Sequence, residues 1–296
     1  MEDNNIYFLG GEPKKPDNDG RKHRIVRRTV VVIVVLAAIY VLFFMFGTPG
    51  SSNEQHIEGD EMMSFSVSPG PFDDERERSP LSLWVESSAI ADSAAVSVLD
   101  TMVNDIPVLV FYPQNMVPYL SVGYDVTLDT VRNLMFMQAA DVRADNKKIL
   151  GAFVLKGEPL SWGLSKKGYC SIINGEVTVG VADDSPLFEE ATDKGGYFFR
   201  QYALVDSFRM VENQLKNKSI RRAICDIDGS VVVVETQSRE SMHDFAEALA
   251  DMGICNAVNL VGSSSIGWVK GEGKSYVRGH HNQHRFKNVS FIVWSK

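Results

Sequence analysis

Gly253-Ile254-Cys255-Asn256-Ala257-Val258-Asn259-Leu260-Val261-Gly262-Ser263-Ser264-Ser265 is the stretch on which the reading of this chain turns. Ahead of it, over residues 241–252, Met242, Phe245, Ala246, Leu249 and Met252 recur at helical spacing, while Asp244, Glu247 and Asp251 take the other side. Gly253, tolerant of positive φ, ends that helix. Residues 257–261 are short, apolar and suited to a buried strand. Gly262, Ser263, Ser264 and Ser265 form a turn of hydroxyls and backbone N–H groups with little side-chain cover. A helix, a buried strand and a small-residue turn at its end commonly place polar groups over a pocket, so the chemistry is expected near that turn.

Upstream, two pairs of apolar runs flank Asn174-Gly175 (169–173 with 176–181) and Asp228-Gly229 (219–225 with 230–236). Both read as hairpins, because these dipeptides accept the positive φ of a tight two-residue turn. Residues 106–112, 149–156, 196–205 and 286–294 read as further strands, and 157–159 (GEP) as a turn. Residues 88–103 and 185–192 read as helices, the second with Pro186 in its first turn. Residues 130–140 fit a strand or a helix equally. Strong hairpin signals with few helices predict an α+β fold: a mixed, largely antiparallel sheet with a few packed helices.

The N-terminal part has a different character. Residues 1–28 are polar and close with Arg21, Lys22, Arg24, Arg27 and Arg28; residues 29–46 are an uncharged apolar run. About 20 apolar residues span a bilayer core, and a run apolar on every face is a poor surface helix. The run ends in bulky Phe43, Phe44, Met45 and Phe46 rather than at a small-residue cleavage site, which favours an uncleaved signal anchor over a removable signal peptide. Basic residues before it and Glu54, Glu58, Asp60 and Glu61 after it predict a cytoplasmic tail over 1–28, a transmembrane helix over 29–46, a flexible Gly/Pro/Ser-rich linker over 47–80, and an extracytoplasmic domain over 81–296. This is the topology of a single-pass inner-membrane protein with a periplasmic domain.

The 296 residues carry a net charge of −8, which argues against a nucleic-acid partner. The three cysteines, Cys170, Cys225 and Cys255, have no metal-ligand spacing. Their odd number leaves at least one unpaired within the chain; buried free thiols are the plainer reading, and one disulfide stays open.

Gly262 to Gly267 invites comparison with the nucleophile elbow G-x-S-x-G, but neither Ser264 nor Ser265 has a glycine on both sides at the required spacing. A turn holding a phosphate or sugar, or a purely structural turn, remains. Arg221 and Arg222 are adjacent, so in a strand one of them faces inward and needs an anionic partner, a carboxylate of the protein or a ligand phosphate. Arg200, among Phe198, Phe199 and Tyr202, poses the same question. His243 lies near a helix start beside Glu240 and Asp244. His280, His281 and His284 would suit a metal only on a helix, whereas their context reads as a loop, so no metal and no cofactor is expected. Glu158, Glu189, Glu190, Glu235, Asp226 and Asp228 stand near strand ends or turns as candidate carboxylates.

Taken together, GAFVLKGEPLSWGLSKKGYCSIINGEVTVGVA, SIRRAICDIDGSVVVVET and SRESMHDFAEALADMGICNAVNLVGSSS resemble the phosphodiester glycosidase family, over roughly residues 149–268, and in particular its membrane-anchored members from Bacteroides-like bacteria. The resemblance implies cleavage of sugar-1-phosphodiesters or action on cell-envelope glycans. It implies Arg222 as a phosphate grip, with His243, Glu158 and Glu235 as candidates for proton transfer. Arg200, Gly262, Ser263, Ser264 and Ser265 are then expected at the substrate. Val261 stands where the family motif carries aspartate, and Leu150-Gly151-Ala152-Phe153 departs from the early Asn-Gly-Gly motif. Valine neither accepts a proton nor attacks a carbon. The competing expectation is therefore a catalytically inactive module that binds a glycan or a protein, and a third is a structural partner in a membrane complex.

Overall fold

The structure is a computed structural model that describes residues 77–89, 92–127, 129–279 and 288–296. The expected tail, transmembrane run and nearly all of the linker, and His280, His281 and His284, lie outside the described residues. Among the described residues, no helix is long and apolar enough to cross a membrane. The chain divides into two units, Met1–Phe72 and Asp73–Lys296, and every described residue belongs to the second.

Its described residues form three α-helices: α1 (Pro80–Ser87), α2 (Phe188–Asp193) and α3 (Met242–Asp251). Its strands are β1 (Ala95–Val103), β2 (Ile106–Gln114), β3 (Tyr119–Val122), β4 (Asn133–Gln138), β5 (Ala152–Leu155), β6 (Glu158–Trp162), β7 (Gly168–Ile173) and β8 (Glu176–Val181). They continue with β9 (Tyr197–Gln201), β10 (Ala203–Asp206), β11 (Arg209–Met210), β12 (Arg222–Ile227), β13 (Ser230–Thr236), β14 (Asn256–Leu260), β15 (Gly267–Gly271), β16 (Lys274–Arg278) and β17 (Ser290–Ser295). They form a seven-stranded sheet, β1-β2-β13-β12-β14-β10-β11, and two five-stranded sheets, β16-β15-β4-β17-β3 and β6-β5-β9-β7-β8. Mostly antiparallel sheets with few helices make this an α+β fold. The expected mixture of strand directions is absent among the described pairs, all of which are antiparallel.

Each sheet sends one face into a shared core. Leu109, Phe111, Ile224, Val233 and Leu260 from the large sheet meet Met135, Met137, Val269 and Trp294 from the second and Phe153, Ile172 and Phe199 from the third. The opposite face of the large sheet packs under α1 and α3 through Ala223, Cys225, Val232, Val234 and Ala257. In α3 the predicted apolar stripe is the buried face: Phe245 and Leu249 are fully inaccessible, each contributing about 1.5–3 kcal/mol relative to exposure. Ser241 caps this helix, its hydroxyl accepting the Asp244 N–H at 3.0 Å, and Gly253 follows it with φ +83°.

The Asn174-Gly175 and Asp228-Gly229 hairpins form as expected, each turn pair at positive φ. Residues 130–140 resolve to strand β4. Four expectations are corrected. The helix expected over 88–103 is replaced by a strand over its larger part: Val96, Val98, Thr101 and Val103 are β-branched, and Ala95–Val103 pairs with β2 through a turn at Asn104 and Asp105, both at positive φ. The turn expected at 157–159 lies one step earlier, at Lys156 and Gly157, and Glu158 already starts β6. Residues 196–205 are two strands rather than one, because the chain leaves the third sheet at Tyr202 and enters the large one. The second helix begins at Phe188, not 185, with the preceding residues bent over Arg200.

Candidate functional site

The large sheet places Arg222 and Glu235 opposite each other at the shared edge of β12 and β13, and sets Arg222 beside Leu260 of β14. Arg222 follows Ile224 in strand alternation, so its side chain enters the core face rather than the helix face. It is wholly inaccessible, as is Glu235. A buried guanidinium requires anionic and carbonyl acceptors to offset its lost hydration. Arg222 Nε donates to Glu235 Oε2 at 2.6 Å and Nη1 donates to the Val261 carbonyl at 3.0 Å, while Nη2 pairs with Glu235 Oε2. Nη1 also lies 3.4 Å from Ser265 Oγ.

Glu235 has a second cation. Arg278, the last residue of β16, brings Nε to 2.7 Å from Glu235 Oε1. Gly267 borders this cluster. It pairs with Arg278 across β15 and β16, and a Cβ there would stand 3.0 Å from Arg222 Nη2 and 2.5 Å from the Met137 sulfur. Without a side chain, it leaves the space that the Arg222 guanidinium occupies beside Glu235. The cluster therefore holds two positive charges against one negative. Arg222 Nη2, Arg278 Nε and Glu235 Oε1 are buried within ion-pair distance, but outside hydrogen-bond alignment. The Arg278 side chain is 32% exposed, so the surplus charge reaches solvent through it.

The Gly262 to Ser265 turn lies against Arg222. Val261 N–H donates to the Gln138 carbonyl, Ser263 N–H to the Ile220 carbonyl and Ser265 N–H to the Gly262 carbonyl. A Cβ at Gly262 would come within 2.3 Å of the Ile220 carbonyl oxygen, so only glycine allows this approach. Ser263 turns the chain at φ +58°. The Ser265 hydroxyl donates to the Val261 carbonyl. Two of the turn's N–H groups and the Ser265 hydroxyl are thus spent within the protein, and the exposed hydroxyls are those of Ser263 and Ser264.

Of the residues singled out in the sequence, the structure brings together Arg222, Glu235, Gly262 and Ser265, with Ser263 and Ser264 on the same turn. The others stand elsewhere. Arg200 is buried on β9 and holds the 182–185 loop: Nη1 donates to the carbonyls of Asp183 and Asp184 and to Ser185 Oγ, and Nη2 to the Ala182 carbonyl. Burial lowers its pKa, partly opposed by Asp184 and Asp183. His243 is on the surface of α3, with Nδ1 at 2.8 Å from Glu212 Oε2, and that contact raises its pKa. Glu158 is exposed on edge strand β6. Arg221 is also buried, its Nε donating to the Glu240 carbonyl. The adjacent arginines both find internal acceptors, because Arg221 precedes the strand and escapes its alternation. Sequence reading missed Arg278, whose only local signal is a basic residue ending a strand.

Among the described residues no group of His, Cys, Asp or Glu is placed to hold a metal ion. Cys170 and Cys225 are free and buried, and burial pushes both thiols well above their ordinary range.

Neither a protein-family model nor a curated protein sequence matches this chain. Several solved structures share its fold, among them two at a TM-score of 0.50. One is the zebrafish N-acetylglucosamine-1-phosphodiester alpha-N-acetylglucosaminidase catalytic domain, auto-inhibited by its pro-peptide, with 13% identity and a TM-score of 0.50 over 71% of this chain and 84% of that one. The other is a hypothetical protein from Synechocystis, with 14% identity and a TM-score of 0.50 over 70% of this chain and 65% of that one. The relationship to a phosphodiester glycosidase catalytic domain is a distant one of fold.

Proposed function

We propose that this chain is a membrane-anchored, phosphodiester-glycosidase-like protein whose arginine cluster grips the phosphate of a sugar-1-phosphodiester. The observation that carries this reading is the sharing of one carboxylate, Glu235, by two guanidinium groups, Arg222 and Arg278. One positive charge is left over beside the exposed hydroxyls of Ser263 and Ser264. An anion with several acceptor oxygens fits that surplus, and arginine meets a phosphate through paired N–H donors. Arg222 organises Glu235 and the turn from within, while Arg278 is the group that a phosphate reaches. The uncharged run at 29–46 and its flanking charges support an anchored protein with the domain on the periplasmic side.

A second reading has its own support. Glu235 is locked between two arginines, Val261 has no ionisable group, and Glu158 and His243 stand on other surfaces. The cluster as described offers a charge to hold an anion and no free acid or base beside it. The corresponding function is binding of a cell-envelope glycan phosphate without cleavage.

The test is sugar release from a panel of sugar-1-phosphodiesters by the full-length protein in detergent micelles, with phosphate-analogue binding measured in parallel. Arg278→Ala is the informative variant, since Arg222→Ala would leave Glu235 partly uncompensated in the core. Turnover and binding both lost in Arg278→Ala support the enzyme. Binding lost in that variant, with no turnover in the parent, supports the silent module. Binding and turnover both indifferent to Arg278 sink the phosphate-grip reading.

A further inference from the structure

A cavity of about 390 Å³ opens on the outer face of the β6-β5-β9-β7-β8 sheet, away from the residues of the arginine cluster. Its floor is Ala152, whose cross-strand partner is Trp162. Trp162 and Leu164 wall one side and are 66% and 60% exposed. Phe188 and Glu189 at the start of α2, and Asp184 from the preceding loop, wall the other. A volume of this size suits a small ligand or one side chain.

The loop wall is rigidly built. Arg200, fully buried, spends four hydrogen bonds on Ala182, Asp183, Asp184 and Ser185. A buried charge is costly, and here it fixes the backbone of a surface loop whose outward side chains line the cavity. The carboxylates around this loop are unequal. Asp183 pairs with Lys167 and Glu190 with Lys194, each at 2.6 Å. Asp184 and Glu189, the two that line the cavity, have no ion pair within the described residues. Arg200 beneath the loop offsets one of their charges and leaves the other.

We propose that this cavity binds an alkylammonium group, such as a lysine side chain, with its cation against the Trp162 ring and the Asp184 and Glu189 carboxylates, and its methylenes over Leu164 and Phe188. An indole face attracts a cation through its ring quadrupole, unpaired carboxylates supply the counter-charge, and an apolar wall covers the stem. The protein's net charge of −8 favours approach of such a ligand. This assignment is independent of the phosphate reading.

The experiment is a titration of the full-length protein in detergent micelles, followed by tryptophan emission. The chain has four tryptophans; Trp268 and Trp294 are 9% and 1% exposed and Trp84 is half-buried against Tyr112, so Trp162, at 66%, is the most open to an added solute, and its share of the response is the part lost in Trp162→Ala. The probes are Nα-acetyl-lysine methylamide and n-butylamine, with methyl α-glucopyranoside as the neutral control. Saturable change with either amine, absent in Trp162→Ala, is expected. Apparent affinity should fall roughly tenfold in the double variant Asp184→Asn/Glu189→Gln and decline with added salt. Tighter binding of the lysine derivative than of butylamine would identify a lysine side chain as the occupant rather than a free amine. Absence of saturation with both amines, unchanged affinity in the double variant, or preferential response to the glucopyranoside would overturn the proposal. Thermal melting of both variants checks that the fold is retained.

Discussion

Arg222 and Glu235 face each other across neighbouring strands, and Nε of Arg222 donates to Oε2 of Glu235 at 2.6 Å, with neither side chain accessible to solvent. Each makes the burial of the other tolerable. Removing one partner leaves an uncompensated charge, so Arg222→Met or Glu235→Leu alone should cost about 3–5 kcal/mol of unfolding free energy. The double variant should lose much less than the sum of the two. Chemical denaturation of the four proteins completes the cycle, and additive losses would show that the pair is not coupled.

Gly262 meets the Ile220 carbonyl so closely that an added Cβ would lie 2.3 Å from that oxygen. Backbone cannot swing aside as a side-chain tip can. Gly262→Ala should destabilise by about 1–3 kcal/mol and weaken phosphate-analogue binding by displacing Ser263 and Ser264. Gly273→Ala, at φ +75° with open space around it, should cost less and leave binding intact. Equal effects of the two on binding would separate the turn from the site.

Arg200 should matter to its loop rather than to the arginine cluster. Arg200→Met removes the donors to residues 182–185, each worth about 0.5–1.5 kcal/mol net. Faster amide exchange is expected over 182–188, with phosphate-analogue affinity unchanged. Loss of that affinity would instead return Arg200 to the substrate.

Asp226 reports burial through pH. Desolvation raises its carboxyl above the ordinary aspartate value of 3.8, against the lowering effect of the Gly229 N–H, which donates to it at 3.0 Å. The folded state thus holds this proton more tightly than the unfolded chain. Below pH 3.8 both states are protonated and no penalty exists. The penalty grows as pH rises through the window between the unfolded and folded values and is complete above it. Asp226→Asn should gain stability relative to the parent across that window, measured by thermal melts at stepped pH. A gain independent of pH would assign the effect to something other than ionisation.

His243 behaves in the opposite sense. Its contact with Glu212 raises its pKa above the ordinary 6.5. Whatever it contributes to stability is present below that value and disappears as pH rises through the folded one. An NMR titration should show the imidazole shift returning to the ordinary value in Glu212→Gln, with phosphate-analogue binding unaffected.

What was legible in the sequence was local. The α3 stripe and the Gly253 stop follow from periodicity and from one residue's freedom at positive φ. The Asn174-Gly175 and Asp228-Gly229 hairpins follow because a tight turn draws on two adjacent residues. The β1–β2 hairpin escaped, because Asn104 and Asp105 take positive φ without the glycine that usually signals it. Residues 88–103 are compatible with a helix by themselves, and it is the pairing of Ala95–Val103 with β2 that makes that part a strand. The exchange of sheets at Tyr202 has no local cause at all.

The candidate site divides along the same line. An inward arginine near 221–222 and a polar turn at 262–265 were determined by sequence alone, through strand alternation and residue size. Which carboxylate meets Arg222, that Arg278 arrives at the same one, and that Gly267 leaves room for the Arg222 guanidinium were decided only by tertiary structure. Burial of charge depends on which sheets close over it, and that closure joins residues whose separation along the chain carries no periodic signal.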